Sequence, residues 1–253
     1  MRGSDRPAVA LGAGEFCRGV IDEVADVVAA VKPQVAFFEA LGHDGVRELE
    51  SVVAHAKAAG LVVVLDAKRG DIGSTAEAYA HACLDDSGPL GADAVTLSPY
   101  LGAESMAPFL KRLEAGKGVF VLVRTSNPGS GAWQGTDAEA IAAKVGAWIA
   151  AENAKRAASF PYGPVGAVIA ATLPEEAGRW RSAMPKSWFL VPGFGAQGAD
   201  ASDVREHLRE GLGALITSSR GVLFPSSGTE MDWRRGVRER ALAFASEVRA
   251  VSD

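Results

Sequence analysis

The sequence predicts an α/β protein of the (β/α)8 type, a TIM-type barrel in which residues 1–253 form a single domain. Apolar runs and helix-like patterns alternate from one end of the chain to the other, which is typical of parallel strands joined by helical crossovers. No shift in composition and no linker-like stretch divides the chain. Hydrophobic residues make up 48% of it, which is ample for one large core.

Seven segments have the apolar character of strands in such a sheet. They are residues 32–38, 61–66, 94–97, 118–123, 166–170, 188–191 and 214–217. A closed barrel needs eight strands, because closure removes the unpaired edges. The strand missing from this series is the first one, for which residues 8–11 are a short and weak candidate.

Composition and charge exclude several classes of protein. The formal net charge is −5, and the 26 basic residues are scattered, so we expect no nucleic-acid partner. No apolar run reaches membrane-spanning length, and the first seven residues are too polar for a signal peptide, so we expect a cytoplasmic protein.

Cysteines and histidines give no metal-site pattern. Two cysteines are too few for a disulfide framework or a zinc site, and Cys17 and Cys83 are expected to be small buried side chains. The four histidines lie in helical or helix-start patterns without ligand spacing. We expect no metal site, and we expect these to be surface residues: His43, His55, His81 and His207.

The densest group of charged residues is the segment 65–72, Leu-Asp-Ala-Lys-Arg-Gly-Asp-Ile. Asp66 and Lys68 are two residues apart at the end of a predicted strand, so both side chains point to one face. In a barrel this face can be the interior, and active sites lie at the carboxyl ends of the strands. An Asp–Lys pair at the barrel axis is costly unless function requires it. The spacing alone fits a salt bridge at the wet rim equally well.

A glycine-rich segment, residues 193–198, follows the strand predicted at 188–191 and has the spacing Gly-x-Gly-x-x-Gly. It is a weak dinucleotide fingerprint, because it comes late and no nucleotide-binding half follows it. A phosphate loop after the seventh barrel strand is the better interpretation, with a helix from about Asp200 nearby. Residues 218–220 follow the last predicted strand, where they fit either an ordinary helix cap or a ligand-binding turn.

Residues 66–72 resemble the Asp-x-Lys-x-x-Asp signature of the orotidine 5′-phosphate decarboxylases. Among these decarboxylases, the motifs are most similar to those of the bacterial branch that carries Lys-Pro-Gln and Thr-Ser-Asn-Pro. Further segments resemble the same family in the same order: residues 31–34, 98–102, 124–129, 191–198 and 218–221. The resemblance runs from about Phe16 to the C-terminus. It implies a cofactor-independent carboxy-lyase that converts orotidine 5′-monophosphate to uridine 5′-monophosphate and CO₂ in pyrimidine biosynthesis.

The resemblance also implies roles for individual residues. The charged catalytic tetrad would be Lys32, Asp66, Lys68 and Asp71, with Lys68 as the proton donor. The substrate-binding residues would be Thr75 at the ribose, Ser126 at the pyrimidine, Ile72 and Pro192 at the apolar part of the base, and Gln197 and Arg220 at the phosphate. Ser219 would also bind the substrate. In the family the last Asp of the tetrad, with the Thr that accompanies it, enters the neighbouring subunit's site, which implies a homodimer with shared active sites.

Two alternatives stay open, and one departure from the family pattern stands out. A Mg²⁺-dependent sugar-phosphate decarboxylase or aldolase of the same superfamily shares the signature but carries a Glu in place of Lys32. A non-catalytic phosphate-binding barrel is the second alternative. Family members begin with a strand ending in a Gly-x-Asp-Pro-like segment, and residues 9–14 contain no such Asp. We expect either that an N-terminal piece precedes this sequence or that the first strand is degenerate.

Overall fold

The computed structural model describes residues 5–135, 140–156, 160–195, 198–224 and 233–252. Seven strands pair in parallel, each with the next along the chain, and form one curled sheet. They are β1 (Ala30–Val31), β2 (Val62–Arg69), β3 (Ala94–Leu97), β4 (Gly118–Arg124), β5 (Gly163–Ile169), β6 (Ser187–Val191) and β7 (Ala214–Ile216). This confirms the predicted barrel-type fold, whose first strand was expected to be weak or missing, and no described residue before β1 forms a strand. No described residues pair β7 with β1.

Helices connect successive strands and cover the outside of the sheet. They are α1 (Arg6–Val24), α2 (Val35–Glu39), α3 (Gly42–Ala58), α4 (Gly73–Leu84), α5 (Ala103–Leu110), α6 (Gly131–Gln134), α7 (Ile141–Lys155), α8 (Pro174–Ala183), α9 (Ala201–Val204), α10 (Arg220–Leu223) and α11 (Trp233–Ser252). The described residues also form three short 3₁₀ helices, Lys111–Ala115, Pro128–Ser130 and Arg205–His207. None of the described helices is long and apolar enough to cross a bilayer.

The alternation of side chains along the strands divides the core into two layers. One set points to the inside of the curled sheet and packs together there: Val64, Ala94, Phe120, Val168 and Leu190. The neighbouring residues in the strands point outward into the larger core between sheet and helices, as Leu65, Val95 and Val121 do. The inner layer fills the bottom of the curled sheet and leaves room above it, at the carboxyl ends of the strands.

Two predictions about strands are wrong. Residues 8–11 form no strand but the first turns of α1, where Ala10, Gly14, Ile21 and Val24 are buried at helical spacing. The segment 32–38 is extended only at its start, because α2 begins at Val35. The Gln34 side chain accepts a hydrogen bond from the Ala36 amide and caps that helix.

The prediction that all four histidines lie on the surface is wrong for His207, which is fully buried. Its ring packs beneath the end of β5, with Nε2 3.3 Å from the carbonyl oxygen of Ala170. Burial lowers the pKa of His207 to about 4, so the ring is neutral at physiological pH. Of the two cysteines, Cys83 is buried as predicted and Cys17 is partly exposed.

Candidate active site

A cavity of about 540 Å³ opens at the carboxyl ends of the strands. Three side chains inside the curled sheet, Leu122, Val168 and Leu190, give it an apolar base. The other lining residues stand above this base and are mostly polar or charged: Lys32, Asp66, Lys68, Thr96, Thr125, Ser126, Asn127, Gln134, Pro192, Gly193, Phe194, Thr217, Ser219 and Arg220. Seven of the predicted site residues are therefore brought together: Lys32, Asp66, Lys68, Ser126, Pro192, Ser219 and Arg220.

Asp66 is the best-connected charged group of the cavity. Its Oδ2 accepts hydrogen bonds from Lys32 Nζ at 2.7 Å and from Gln34 Nε2 at 3.0 Å. Its Oδ1 accepts from Lys68 Nζ at 2.5 Å and from the Thr96 hydroxyl at 3.1 Å. Each carboxylate oxygen thus has one ammonium and one neutral donor, which fills the acceptor positions of the group.

The ionisation of Asp66 follows from these contacts. The residue is 8% exposed, and burial by itself would raise the pKa of its carboxyl. The Lys32 and Lys68 ammoniums outweigh burial and hold the pKa of Asp66 below its usual value. The carboxylate is therefore charged at neutral pH. Because the Lys68 side chain is 47% exposed, the pair extends from the buried wall to the open cavity.

Lys68 lies in an unusual backbone conformation. Its φ angle is +47°, in the left-handed region that non-glycine residues rarely adopt. The pairing of β2 with β3 is irregular between Leu65 and Arg69, so the strand bends where it carries the charged pair. Such a conformation costs on the order of 1–3 kcal/mol and persists only where surrounding contacts enforce it. The bend turns the Lys68 ammonium into the cavity.

The loop after β4 carries Ser126 and is held at both ends. At its start, Arg124 is buried and binds Glu176 of α8 through Nε and Nη2 at 3.0 Å, while its Nη1 donates to Ser130 Oγ at 2.6 Å. At its end, the Gln134 amide group accepts from the Thr125 backbone and donates to the Thr125 hydroxyl, both at 2.8 Å. These bonds fix the loop over the cavity.

The opposite wall is built by the segments that follow β6 and β7. Gly193 and Gly195 adopt φ angles of +111° and +73°, which are open to glycine and strained for other residues. Arg220, at the start of α10, brings a cation to this wall. Gln197 lies outside the described residues. The first amides of α9 are already bound by the Asp200 carboxylate in a capping box, so they are not free to bind an anion.

Three predicted site residues do not line the cavity of their own chain. Asp71 and Ile72 lie between β2 and α4, and the Asp71 carboxylate accepts a hydrogen bond from the Ile72 amide at 2.8 Å. Thr75 lies exposed in the first turn of α4. The side chain of Ile72 is 59% exposed, which is unusual for an isoleucine.

Sequence reasoning missed several residues that the structure brings to the cavity or to its charged side chains. Gln34 belongs to the Lys-Pro-Gln motif, but its bond to Asp66 depends on the pairing of two strands. Thr96 carried no signal, because a β-branched residue is ordinary in a strand. Gln134 gave none either, since it meets Thr125 only after the loop has folded back.

The lining residues combine three cations, Lys32, Lys68 and Arg220, with one carboxylate, Asp66. A net positive cavity of this kind is suited to a substrate that carries several negative charges. An ammonium and a carboxylate above the apolar base can stabilise charge that develops in a reaction, and the ammonium can donate a proton. Among the described residues no three His, Cys, Asp or Glu side chains are grouped as metal ligands.

Comparison with known proteins shows which family the chain is similar to. The profile of the "Orotidine 5′-phosphate decarboxylase / HUMPS family" matches residues 13–225. An orotidine 5′-phosphate decarboxylase of Rhodopirellula baltica is 44% identical, over 96% of this chain and 86% of the relative. One of Polaromonas naphthalenivorans is 43% identical, over 90% and 79%. The structure of Leishmania donovani OMP decarboxylase aligns with a TM-score of 0.80 and 34% identity, over 96% of this chain and 89% of that one. The chain belongs to the orotidine 5′-phosphate decarboxylase / HUMPS family.

Proposed function

We propose that this chain is an orotidine 5′-phosphate decarboxylase, which converts orotidine 5′-monophosphate to uridine 5′-monophosphate and CO₂. The observation that carries the proposal is the array Lys32–Asp66–Lys68 at the edge of a cavity with an apolar base. Two relatives of that name, 44% and 43% identical to this chain over 86% and 79% of their own length, support the same activity.

The array suits a decarboxylation that has no electron sink. When the bond between C6 and the carboxylate breaks, CO₂ leaves and the electron pair stays on C6 in the plane of the ring. A cation about 4 Å away stabilises such a charge by about 4 kcal/mol at an effective dielectric constant near 20. Lys68 provides this cation and then transfers a proton from Nζ to C6, and solvent later restores that proton. Lys32 and Asp66 keep the ammonium of Lys68 in place.

The wall opposite Lys68 would hold the phosphate. Arg220 supplies a cation, and the backbone at Gly193 can approach an anion closely because no Cβ intervenes. Gln197 is a further phosphate ligand in this proposal, and Ser219 borders the same part of the cavity. Ser126 would bind the pyrimidine and Pro192 would pack against its apolar part. Binding energy from the distant phosphate can be used to orient the base.

The Mg²⁺-dependent alternative is disfavoured by the contacts of Asp66. A metal ion needs free oxygen lone pairs, whereas both oxygens of this carboxylate already accept two hydrogen bonds each. Two of the four donors are ammoniums, which would repel a divalent cation. Lys32 stands where the sugar-phosphate enzymes that the sequence resembles carry a Glu.

A homodimer with shared active sites completes the proposal. Asp71 and Thr75 do not line the cavity of their own chain, so their proposed roles require a neighbouring copy. Exposed apolar side chains follow the carboxyl ends of four consecutive strands, β1 to β4: Phe37, Ile72, Tyr100 and Trp133. Such an apolar rim beside the cavity is typical of a protein–protein interface.

The proposed enzyme acts in the cytoplasm.

The experiment that tests the activity measures conversion of orotidine 5′-monophosphate by protein dialysed against EDTA, with and without added Mg²⁺. We expect the same rate in both samples, because the tetrad supplies the positive charge. A rate that depends on Mg²⁺, together with turnover of a ketogulonate phosphate, would instead support the sugar-phosphate alternative. No turnover of either substrate would support the non-catalytic alternative.

A further inference from the structure

We propose that Thr96 is a positioning residue of the active site, whose hydroxyl fixes the geometry of the Asp66–Lys68 pair. The inference rests on the proposed decarboxylase function and extends it to a residue in the neighbouring strand. Thr96 lies in β3, is 1% exposed and borders the cavity. It has no charge and needs no contact with substrate to act in this way.

The hydrogen bonds of Thr96 use the full capacity of one hydroxyl group. A hydroxyl oxygen can accept two hydrogen bonds and donate one. Thr96 Oγ1 accepts from the backbone amides of Ala67 and Lys68, at 3.0 and 2.9 Å. The hydroxyl proton is then left for Asp66 Oδ1 at 3.1 Å, since the other acceptor, the carbonyl oxygen of Leu65, is 3.5 Å away.

These bonds act on both members of the charged pair. The amide of Lys68 belongs to the residue with the left-handed backbone, and the irregular pairing of β2 with β3 in this segment leaves its amides in need of another acceptor. Thr96 is that acceptor and holds the bend that aims the Lys68 ammonium. Its proton meanwhile orients the carboxylate to which that ammonium binds. One side chain therefore couples the backbone of Lys68 to the direction of the Asp66 carboxylate.

The test compares Thr96→Val, which keeps the shape but removes the hydroxyl, with Thr96→Ser, which keeps the hydroxyl but removes a methyl group. For orotidine 5′-monophosphate we expect Thr96→Val to lower kcat by about 10- to 100-fold with KM changed less than about threefold, because the contact supports the transition state rather than ground-state binding. Thr96→Ser should stay within about threefold of wild type.

Ser187→Ala is the matched control for the loss of a buried hydroxyl. Ser187 is fully buried, accepts a hydrogen bond from Asn153 Nδ2 at 2.8 Å and lies at the start of β6, the end remote from the cavity. Its removal should lower the melting temperature and leave kcat unchanged. If Thr96→Val fails to fold, Thr96→Ala is compared with Thr96→Ser instead. The kcat of the serine variant should then be at least about tenfold higher than that of the alanine variant.

The outcomes separate this inference from the proposed function. If the wild-type protein is active and folded Thr96→Val, or Thr96→Ala in its place, keeps more than about a third of wild-type kcat, Thr96 has no positioning role. Loss of activity in Thr96→Ser as well as in Thr96→Val would also overturn the inference, because the hydroxyl would not be what matters. If the wild-type protein itself does not release CO₂, it is the proposed function that fails.

Discussion

At the scale of single residues, Asp66 and Lys68 show how a buried carboxylate stays ionised while its ammonium partner stays accessible. Burial disfavours the Asp66 carboxylate, and two ammoniums compensate for that penalty. Lys68 is the more exposed partner and has a strained backbone, so its ammonium remains available to a substrate. Strain of this kind is typical of functional sites, where surrounding contacts hold a residue in a conformation it would otherwise leave.

Lys68→Ala should lower turnover by several orders of magnitude, because both the counter-charge and the proton donor are lost. General acid catalysis alone contributes about 10²- to 10⁴-fold. The variant keeps a Cβ, so the backbone strain at this position is unchanged. The measurement is kcat for orotidine 5′-monophosphate, with Lys111→Ala as the control, since Lys111 lies outside the cavity and its side chain is 70% exposed. A Lys68→Ala rate above about a tenth of wild type would remove this residue from its proposed role.

The charged residues of the cavity could be predicted from the sequence, and their neutral partners could not. Asp66 and Lys68 were detectable because two opposite charges at the end of an apolar run are unusual. Thr96 and Gln34 reach Asp66 only because segments that are distant in the sequence lie side by side in the fold. The local sequence around these two residues does not reveal that contact. The sequence also left open whether the Asp–Lys pair lies on a wet rim, and the 8% exposure of Asp66 places the carboxylate in a buried wall.

At the scale of elements, α8 is joined to β4 by a buried ion pair. Arg124, the last residue of β4, binds Glu176 of α8, and the Trp180 indole donates to the same carboxylate at 3.2 Å. The side chains of Arg124 and Glu176 are 10% and 13% exposed, so water screens the pair only weakly. This contact anchors the strand end from which the Ser126 loop departs.

Glu176→Ala should lower the free energy of unfolding by about 3–5 kcal/mol, because it leaves the Arg124 guanidinium buried and without its carboxylate. Urea denaturation measures the loss. The matched control is Glu239→Ala in α11, which removes an exposed ion pair with Arg235 and should cost at most about 1 kcal/mol. Equal losses in the two variants would show that the Arg124–Glu176 pair does not anchor α8.

His207 links the segment after α9 to the end of β5 and makes stability depend on pH. Its pKa is about 4 when folded and returns to about 6.5 on unfolding, so the unfolded chain binds more protons between these values. The contribution of the neutral His207 ring to the free energy of unfolding is complete above pH 6.5 and is lost as pH falls toward 4. Between pH 7.5 and pH 5 the loss amounts to about 2 kcal/mol.

The pH effect is tested by urea denaturation of the wild type and of His207→Gln at both pH values. The glutamine cannot take up a proton, so the variant should lose less stability than the wild type between pH 7.5 and pH 5. All other residues are common to both proteins, so the difference between them isolates the effect of His207. The same loss in both proteins would show that His207 does not cause the pH dependence.

Strands inside the sheet were predicted well, and the ends of elements less well. The segment 94–97 matches β3, because residues buried on both faces of a parallel sheet are continuously apolar. Residues 35–38 have equally apolar side chains but form α2, since the Gln34 cap and packing against the neighbouring helix override their strand propensity. Burial of His207 likewise depends on tertiary packing.

At the scale of the whole molecule, residues within or directly after all seven described strands line the cavity, yet the proposed site needs a second copy of the chain. The exposed side chains of Phe37, Ile72, Tyr100 and Trp133 follow the carboxyl ends of β1 to β4, and Ile72 is next to Asp71 in the chain. In a symmetric dimer any residue donated to a partner is donated reciprocally. Two variants that damage different halves of the site should therefore complement each other.

Asp71→Ala and Arg220→Ala should each be nearly inactive alone. In a mixed dimer the intact Arg220 of one chain meets the intact Asp71 of the other, which rebuilds one site and leaves its twin doubly damaged. Random reassortment makes about half of the dimers mixed, so about a quarter of wild-type activity should return. The two variants are unfolded together, refolded and checked for subunit exchange. Activity that stays at the level of the parents would mean that Asp71 acts within its own chain.

The central claim is tested most directly by following both products of one reaction, run in D₂O with orotidine 5′-monophosphate labelled in its carboxyl group. The account predicts one labelled CO₂ for each uridine 5′-monophosphate formed. It also predicts deuterium at C6 of the product, because the Lys68 ammonium exchanges its protons with solvent before it donates one. Release of CO₂ no faster than in the absence of protein, or a product without deuterium at C6, would contradict it.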